Sequence, residues 1–289
     1  MKILVAYDGS EGSDAALKDL VRAGLPDNTE VLVMSLADVF IPPDDQSEDS
    51  FPSYMPETVK LAHRRAQQKL EEAQDMAQRA SEQIKSMFPG WSVHYEALAD
   101  SPAWGLLRTA DQWKPDLTVM GARGHSVREA RLILGSISQR VLYEARGSVR
   151  IARPPRKDVD EPVFILIGID DSTDSSAAVD AVCDRRWPKG SEVALLTVVD
   201  TVLETTPNPS DPSHLSAEKL RNAGLHVNVL VKRGKPADEI LEEAEAWGAD
   251  CIFLGAKGKR GIGRLLLGSV SSGVAARAHC SVEVVRPPS

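Results

Sequence analysis

Lys2-Ile-Leu-Val-Ala-Tyr-Asp8-Gly-Ser10 returns as Phe164-Ile-Leu-Ile-Gly-Ile-Asp170-Asp-Ser172. In both places a short aliphatic run ends in Asp, a spacer and Ser, the pattern of a buried strand turning into a helix. Two further blocks recur in the same order. Gly121-Ala-Arg-Gly124 through Leu134-Gly135-Ser136 returns as Gly255-Ala-Lys-Gly258 through Leu267-Gly268-Ser269. Ser-Val-x-[Ile/Val]-x-Arg-Pro-Pro closes each half, at Ser148 to Pro155 and at Ser281 to Pro288. Three matched blocks in one order identify a tandem duplication. The expected domains are 1–155 and 162–289, joined by the charged, proline-bounded stretch Pro154 to Pro162.

The copies differ in length. Asp8 and Asp170 lie 162 positions apart, but Gly121 and Gly255 only 134, so the second copy is 28 residues shorter between those blocks. In the first copy Val59, Ala62, Ala66, Leu70, Ala73, Ala77, Ala80, Ile84 and Met87 step by three and four, one apolar stripe on a long helix. The second copy keeps a stub, Ser216 to Gly224, behind a Pro/Asn/Ser-rich loop from Thr205 to Ser213; the first has an acidic loop at Asp44 to Ser50. Strands are expected at Ile3–Tyr7, Val31–Leu36, Ser92–Ala97, Leu117–Met120 and Val149–Ala152. Their counterparts are Ile165–Ile169, Val193–Val199, His226–Val231, Cys251–Leu254 and Val282–Val285. Strands alternating with helices predict an α/β fold of two tandem, doubly wound, parallel five-stranded sheets. Ligands of such sheets bind at the C-terminal strand ends, beside the topological switch point.

Composition narrows the function. A 42% apolar and 26% charged chain of 289 residues has material for two cores. The formal charge of −8 argues against general nucleic-acid binding and against docking on an anionic membrane. Three cysteines without a CxxC pair suggest no disulfide framework or metal site, and Cys183 and Cys251, in apolar runs, read as buried thiols. The opening MKILVAYD lacks signal-peptide features and no apolar run reaches spanning length, so a cytoplasmic location is expected.

Chemistry concentrates at Gly255-Ala-Lys-Gly258-Lys-Arg-Gly261-Ile-Gly263-Arg-Leu-Leu-Leu-Gly268-Ser269, directly after the strand-like CIFL. Glycines let backbone N–H groups approach a polyphosphate, and a helix starting at Gly268-Ser269 adds unpaired N–H groups and a dipole end. Lys257, Lys259, Arg260 and Arg264 gather here in an otherwise acidic chain. A flexible turn with a solvated basic face is the competing explanation. There is no GxxxxGK[ST] and no GxGxxG; the spacing is G-x2-G-x9-G-S.

That spacing resembles the ATP-binding motif of the universal stress protein family, as do the first strand ending in Asp170-Asp-Ser and the Val-rich last strand. The resemblance covers both copies and corresponds to the family's tandem, two-domain type, an adenine-nucleotide α-hydrolase-like fold. It implies that Asp170 and Asp8 contact the nucleoside, and that Val198 and Leu36 lie beside adenine. It places Gly255, Lys257, Gly258, Gly268, Ser269, Val270 and Ser271 around the phosphates. In the first copy these become Gly121, Arg123, Gly124, Gly135, Ser136, Ile137 and Ser138. For Asp8 and Asp170 a turn-forming or capping role before Ser competes or coexists. The first copy departs from the pattern: ten residues, His125 to Leu134, separate its glycines, the inner glycines are missing, and Glu129 brings a carboxylate. The extra residue must bulge or shift the helix start, so the second copy is the expected site.

The resemblance further implies ATP, with Mg2+, as the cofactor. It also implies antiparallel pairing of the last strands, within the chain as a pseudo-dimer or between chains as a homodimer. Val149-Arg150-Ile151 aligns with Val282-Glu283-Val284, which puts opposite charges at equivalent positions. Such charges would favour pairing of unlike copies; two unrelated edge charges that discourage aggregation are the alternative. The expected function is an ATP-binding stress-response or regulatory protein with an unidentified protein partner. A slow ATPase or nucleotidyl- or phosphoryl-transfer enzyme, and a scaffold with structural glycine turns, remain as alternatives. No catalytic constellation stands out.

Overall fold

The computed structural model describes residues 1–39, 57–124, 134–199, 212–258 and 267–287. The first half comprises β1 (Lys2–Ala6), α1 (Glu11–Leu20), β2 (Glu30–Ala37), α2 (Glu57–Met87), β3 (Ser92–Ala99), α3 (Pro102–Trp113), β4 (Leu117–Gly121), α4 (Ser136–Glu144) and β5 (Ser148–Ala152). The second repeats it as β6 (Phe164–Ile169), α5 (Thr173–Cys183), β7 (Glu192–Val199), α6 (Pro212–Asn222), β8 (His226–Arg233), α7 (Pro236–Trp247), β9 (Cys251–Gly255), α8 (Ser269–Arg277) and β10 (Ser281–Val285).

Among the described residues the strands form one sheet in the order β3-β2-β1-β4-β5-β10-β9-β6-β7-β8. All neighbours run parallel except β5 and β10, which pair antiparallel. The two sheets expected from the repeat are therefore halves of one. Central strands are covered on both faces, which is why Ile3-Leu4-Val5 and Ile165-Leu166-Ile167 are apolar without alternation and wholly buried. The edge strands β3 and β8 read as mixed sequences and stay largely exposed.

The two faces are built differently. On one, residues of α3, α4, α7 and α8 share a continuous core that runs across both halves, with Val149, Ile151, Val282 and Val284 at its middle. On the other, α1 and α2 cover one core and α5 and α6 a second. Between those two cores the inward residues of β5 and β10 are Arg150 and Glu283, which are register partners. Arg150 Nη1 lies 3.2 Å from Glu283 Oε2, and its Nε and Nη2 grip Asp19 of α1 at 2.6 and 3.0 Å. Arg185, after α5, donates to Glu283 Oε1 and to Ala23 O. Burial pushes Arg150 toward neutrality, but the carboxylates of Asp19 and Glu283 outweigh it and hold the guanidinium charged. The unlike-copy pairing expected from the sequence is present, completed by two residues that the sequence comparison did not reach.

A second contact set obeys the pseudo-two-fold. Arg153 Nη2 donates to Ala275 O (2.6 Å) and Nη1 to Cys280 O (3.1 Å). Arg286 Nη2 donates to Leu142 O (2.7 Å) and Nη1 to Gly147 O (3.1 Å). Each Arg-Pro-Pro motif thus reaches the C-terminal end of the other half's last helix. There each guanidinium meets unpaired carbonyls and the negative dipole end, while burial pushes both arginines down to about 10.

Some details differ from expectation. The α2 stripe is buried or half-buried from Ala66 to Met87, but Val59 and Ala62, in the first turns of α2, are exposed, and His63 beside them is buried instead. Helix α6 starts at Pro212, before the expected stub. Cys251 and Cys280 are buried, whereas Cys183, at the end of α5, is only half-buried. The Asp44 to Ser50 loop and most of the Thr205 to Ser213 loop lie outside the described residues.

Candidate functional site

Order β3-β2-β1-β4-β5 puts the switch point between β1 and β4; in the second half it lies between β6 and β9. Because β5 and β10 are antiparallel while each half is parallel, the two switch points open on opposite edges of the sheet. Each is built from the turn after the first strand, the turn after the fourth, and the start of the last helix.

In the second half Asp170 follows β6, and its Oδ1 accepts from the backbone N (3.1 Å) and the hydroxyl of Ser172. Ser172, not Asp170, caps α5: its Oγ accepts from Ser175 N at 3.1 Å. The turn-forming role foreseen for Asp170 is real, and it orients the carboxylate. Its Oδ2 sits where a Cβ on Gly258 would be only 2.5 Å away, so the loop after β9 passes directly over this carboxylate. Gly255 meets α5 as closely: a Cβ there would lie 2.5 Å from Asp174 C and 2.6 Å from Ser175 N. Both glycines are required by approach, not by unusual φ. The first half repeats the arrangement. Ser10 caps α1, Asp8 Oδ1 accepts from Ser10, and a Cβ on Gly124 would lie 2.5 Å from Asp8 Oδ2.

The last helices begin alike. Gly268 is the N-cap of α8 at φ −67°, ψ 149°, and Gly135 that of α4 at φ −63°, ψ 153°. Neither N-terminus has a side-chain cap, so the first-turn N–H groups face outward without an intrahelical acceptor. Gly268 N bonds Ala256 O at 2.8 Å and Gly135 N bonds Ala122 O at 2.9 Å. The extra residue of the first copy therefore does not shift its helix start. Residues 125–133 and 259–266, which include His125, Glu129, Lys259, Arg260, Gly261, Gly263 and Arg264, lie outside the described residues.

The remaining predicted residues divide by role. Ser269 and Ser136 are exposed at the helix starts. Val270 and Ile137 turn their side chains onto the shared core, leaving their backbone N–H groups at the rim. Ser271 and Ser138 are buried, and their hydroxyls donate to Gly255 O (2.6 Å) and Gly121 O (2.9 Å), pinning each helix to its strand end. Leu36 and Val198, at the ends of β2 and β7, pack half-buried against the same core; Leu36 lies so close to Gly105 that a Cβ there would be 2.3 Å from its Cδ2. Lys257 and Arg123 occupy equivalent loop positions, half-buried, each with its backbone carbonyl facing the capping serine.

Sequence reading missed two residues. Asp174 accepts from Lys257 N at 3.0 Å and so holds the loop of the second half. Its counterpart is Gly12, where a Cβ would lie 1.9 Å from Arg123 O, so the first loop packs backbone on backbone. The only signal in the sequence was an acid in a helix's first turn, which ordinarily reads as a dipole complement. Tyr7, whose counterpart is Ile169, donates to Asp14 Oδ1 at 2.7 Å; burial and Asp14 push its hydroxyl up to about 12. Among the described residues no cluster of three or more metal-ligating side chains occurs, and no helix is long and apolar enough to cross a membrane.

These features define a tandemly duplicated, doubly wound α/β protein whose halves present a glycine-bounded helix start at each switch point. The model of the universal stress protein family matches residues 1–153 and again 164–286, and the chain belongs to that family. A universal stress protein of Mycolicibacterium smegmatis is 30% identical over 301 residues, covering 99% of this chain and 97% of its own. The universal stress protein YxiE of Bacillus subtilis is 28% identical over 144 residues; 97% of it matches 42% of this chain, which corresponds to one half. The crystal structure of a universal stress protein from Archaeoglobus fulgidus DSM 4304 matches 99% of this chain and 98% of its own with a TM-score of 0.65 at 20% identity, a likeness of fold.

Proposed function

We propose that the chain is a regulatory stress-response protein that binds an adenine nucleotide, ATP with Mg2+, at the switch point of its second half. The observation that carries this reading is the uncapped start of α8 at Gly268, facing a loop that passes over the Asp170 carboxylate without a Cβ. Backbone N–H groups of Ser269, Val270 and Ser271, with Gly255, Gly258 and Lys257, would receive the phosphates. Asp170 would meet the nucleoside hydroxyls and Val198 the base. When bound, the nucleotide supplies negative charge at the positive end of α8, and Mg2+ arrives with it. The first half, with Asp8, Leu36, Gly121, Arg123, Gly124, Gly135, Ser136, Ile137 and Ser138, forms a second, weaker site.

The test is the nucleotide content of the purified protein, released by denaturation and identified by chromatography, beside a Gly268→Val/Ser269→Ala variant. About one equivalent of adenine nucleotide, lost in the variant, is the expected result for a helix-start site. A protein that is empty and ignores added Mg·ATP overturns the reading.

A further inference from the structure

We infer that each half's phosphate-site helix is positioned by the other half, so that occupancy of one switch point is coupled to the seam between the copies, with Arg153 as the positioning residue for the second-half site. The inference rests on the nucleotide reading above. Helix α8 is nine residues long, about 14 Å. Its start is held by its own half, through Gly268 N on Ala256 O and Ser271 Oγ on Gly255 O. Its end is held by the first half, through Arg153 Nη2 on Ala275 O. A short helix gripped at both ends moves as a rod, so a displacement at Ala275 reaches the first-turn N–H groups that would receive phosphate. Arg286 on Leu142 O makes the reciprocal grip on α4.

The two grips are not equivalent. Arg153 N donates to Ser281 Oγ at 3.0 Å, and that hydroxyl donates to Asp19 Oδ1 at 2.7 Å, inside the buried ion network. Arg286 N donates to Ser148 Oγ at 3.1 Å, but the counterpart of Asp19 is Ala181, so that chain of bonds stops there. The coupling is accordingly stronger from Arg153 to the second half than from Arg286 to the first.

The experiment uses the full chain as wild type, Arg153→Met, Arg153→Lys and Arg286→Met, with Mg·ATP titrated by calorimetry and amide exchange followed by mass spectrometry. Arg153→Met is expected to weaken ATP at the second half about five- to tenfold and to speed exchange through α8, including the Ser272 amide that bonds Gly268 O. Exchange in α4 stays unchanged, Arg153→Lys recovers part of the affinity, and Arg286→Met has a smaller effect, confined to α4. Lower thermal stability with wild-type affinity and wild-type α8 exchange would overturn the inference. If the wild type binds no ATP, the functional reading fails and exchange alone decides: faster exchange at Ser272 retains the coupling, and a change confined to Ala275 through Ala278 removes it. Should Arg153→Met not fold, Arg153→Lys is judged by the same readouts.

Discussion

Replacing Glu283 with Gln keeps the shape of the seam and removes one charge. The network holds two guanidiniums, Arg150 and Arg185, against two carboxylates, Asp19 and Glu283, with side chains 1%, 4%, 4% and 2% exposed. The substitution leaves an uncompensated buried cation while opening no cavity, so its cost is electrostatic, about 3–5 kcal/mol. For a chain of 289 residues unfolding cooperatively, that is a fall in melting temperature of about 5–8 °C. Adding Arg185→Met restores the balance, since Arg150 and Asp19 remain as a paired couple. The double variant is then expected to be more stable than the sum of the singles by about 1–3 kcal/mol. Urea unfolding followed by tryptophan fluorescence reads this directly, because Trp187 lies edge-on to Phe253, over which Arg185 sits. Single effects that simply add would refute the claim that these charges act as one network. A Glu283→Gln variant as stable as the wild type would refute the claim that the network matters at all.

Other outcomes follow from the site and the buried side chains. Ser172→Ala removes the α5 cap and the hydroxyl on Asp170, and should cost about 1 kcal/mol in urea unfolding, with weaker nucleotide binding. Gly258→Ala forces a methyl against Asp170 Oδ2 and should abolish nucleotide retention while lowering stability by about 1–3 kcal/mol; retention at the wild-type level would contradict the proposed site. Tyr7 is ordinarily a pKa 10 group and is raised to about 12, so the folded state favours its neutral form. The stability this contributes is complete below pH 10 and is lost as pH rises toward 12; Tyr7→Phe should remove the late step from an ultraviolet titration. Burial pushes the thiols of Cys251 and Cys280 up to about 12, so a thiol reagent at about pH 8 should label Cys183 first in the native protein and all three after denaturation.

Most of the architecture was legible because burial leaves local marks. A parallel central strand must be apolar at every position, so Ile3-Leu4-Val5 and Ile165-Leu166-Ile167 announce themselves. The repeat then doubles each observation, and it set Arg150 and Glu283 at equivalent positions of the two last strands. Gly124 and Gly258 were legible as special positions. Their immediate reason, a carboxylate from another turn occupying the space of a Cβ, was not.

By itself the sequence determined the duplication, the order and type of the elements, and the strand–glycine–helix junctions, since each follows from periodicity and residue type within short windows. Only the tertiary structure decided that the two sheets continue as one, with a shared core on one face and a buried ion network on the other. It also brought Asp19 and Arg185 to the seam, Asp174 to the loop of the second half, and Arg153 and Arg286 to each other's helices. The reason is geometric. These partners lie 83 to 144 positions apart in the chain, and no local pattern records which strand order and register will bring them together.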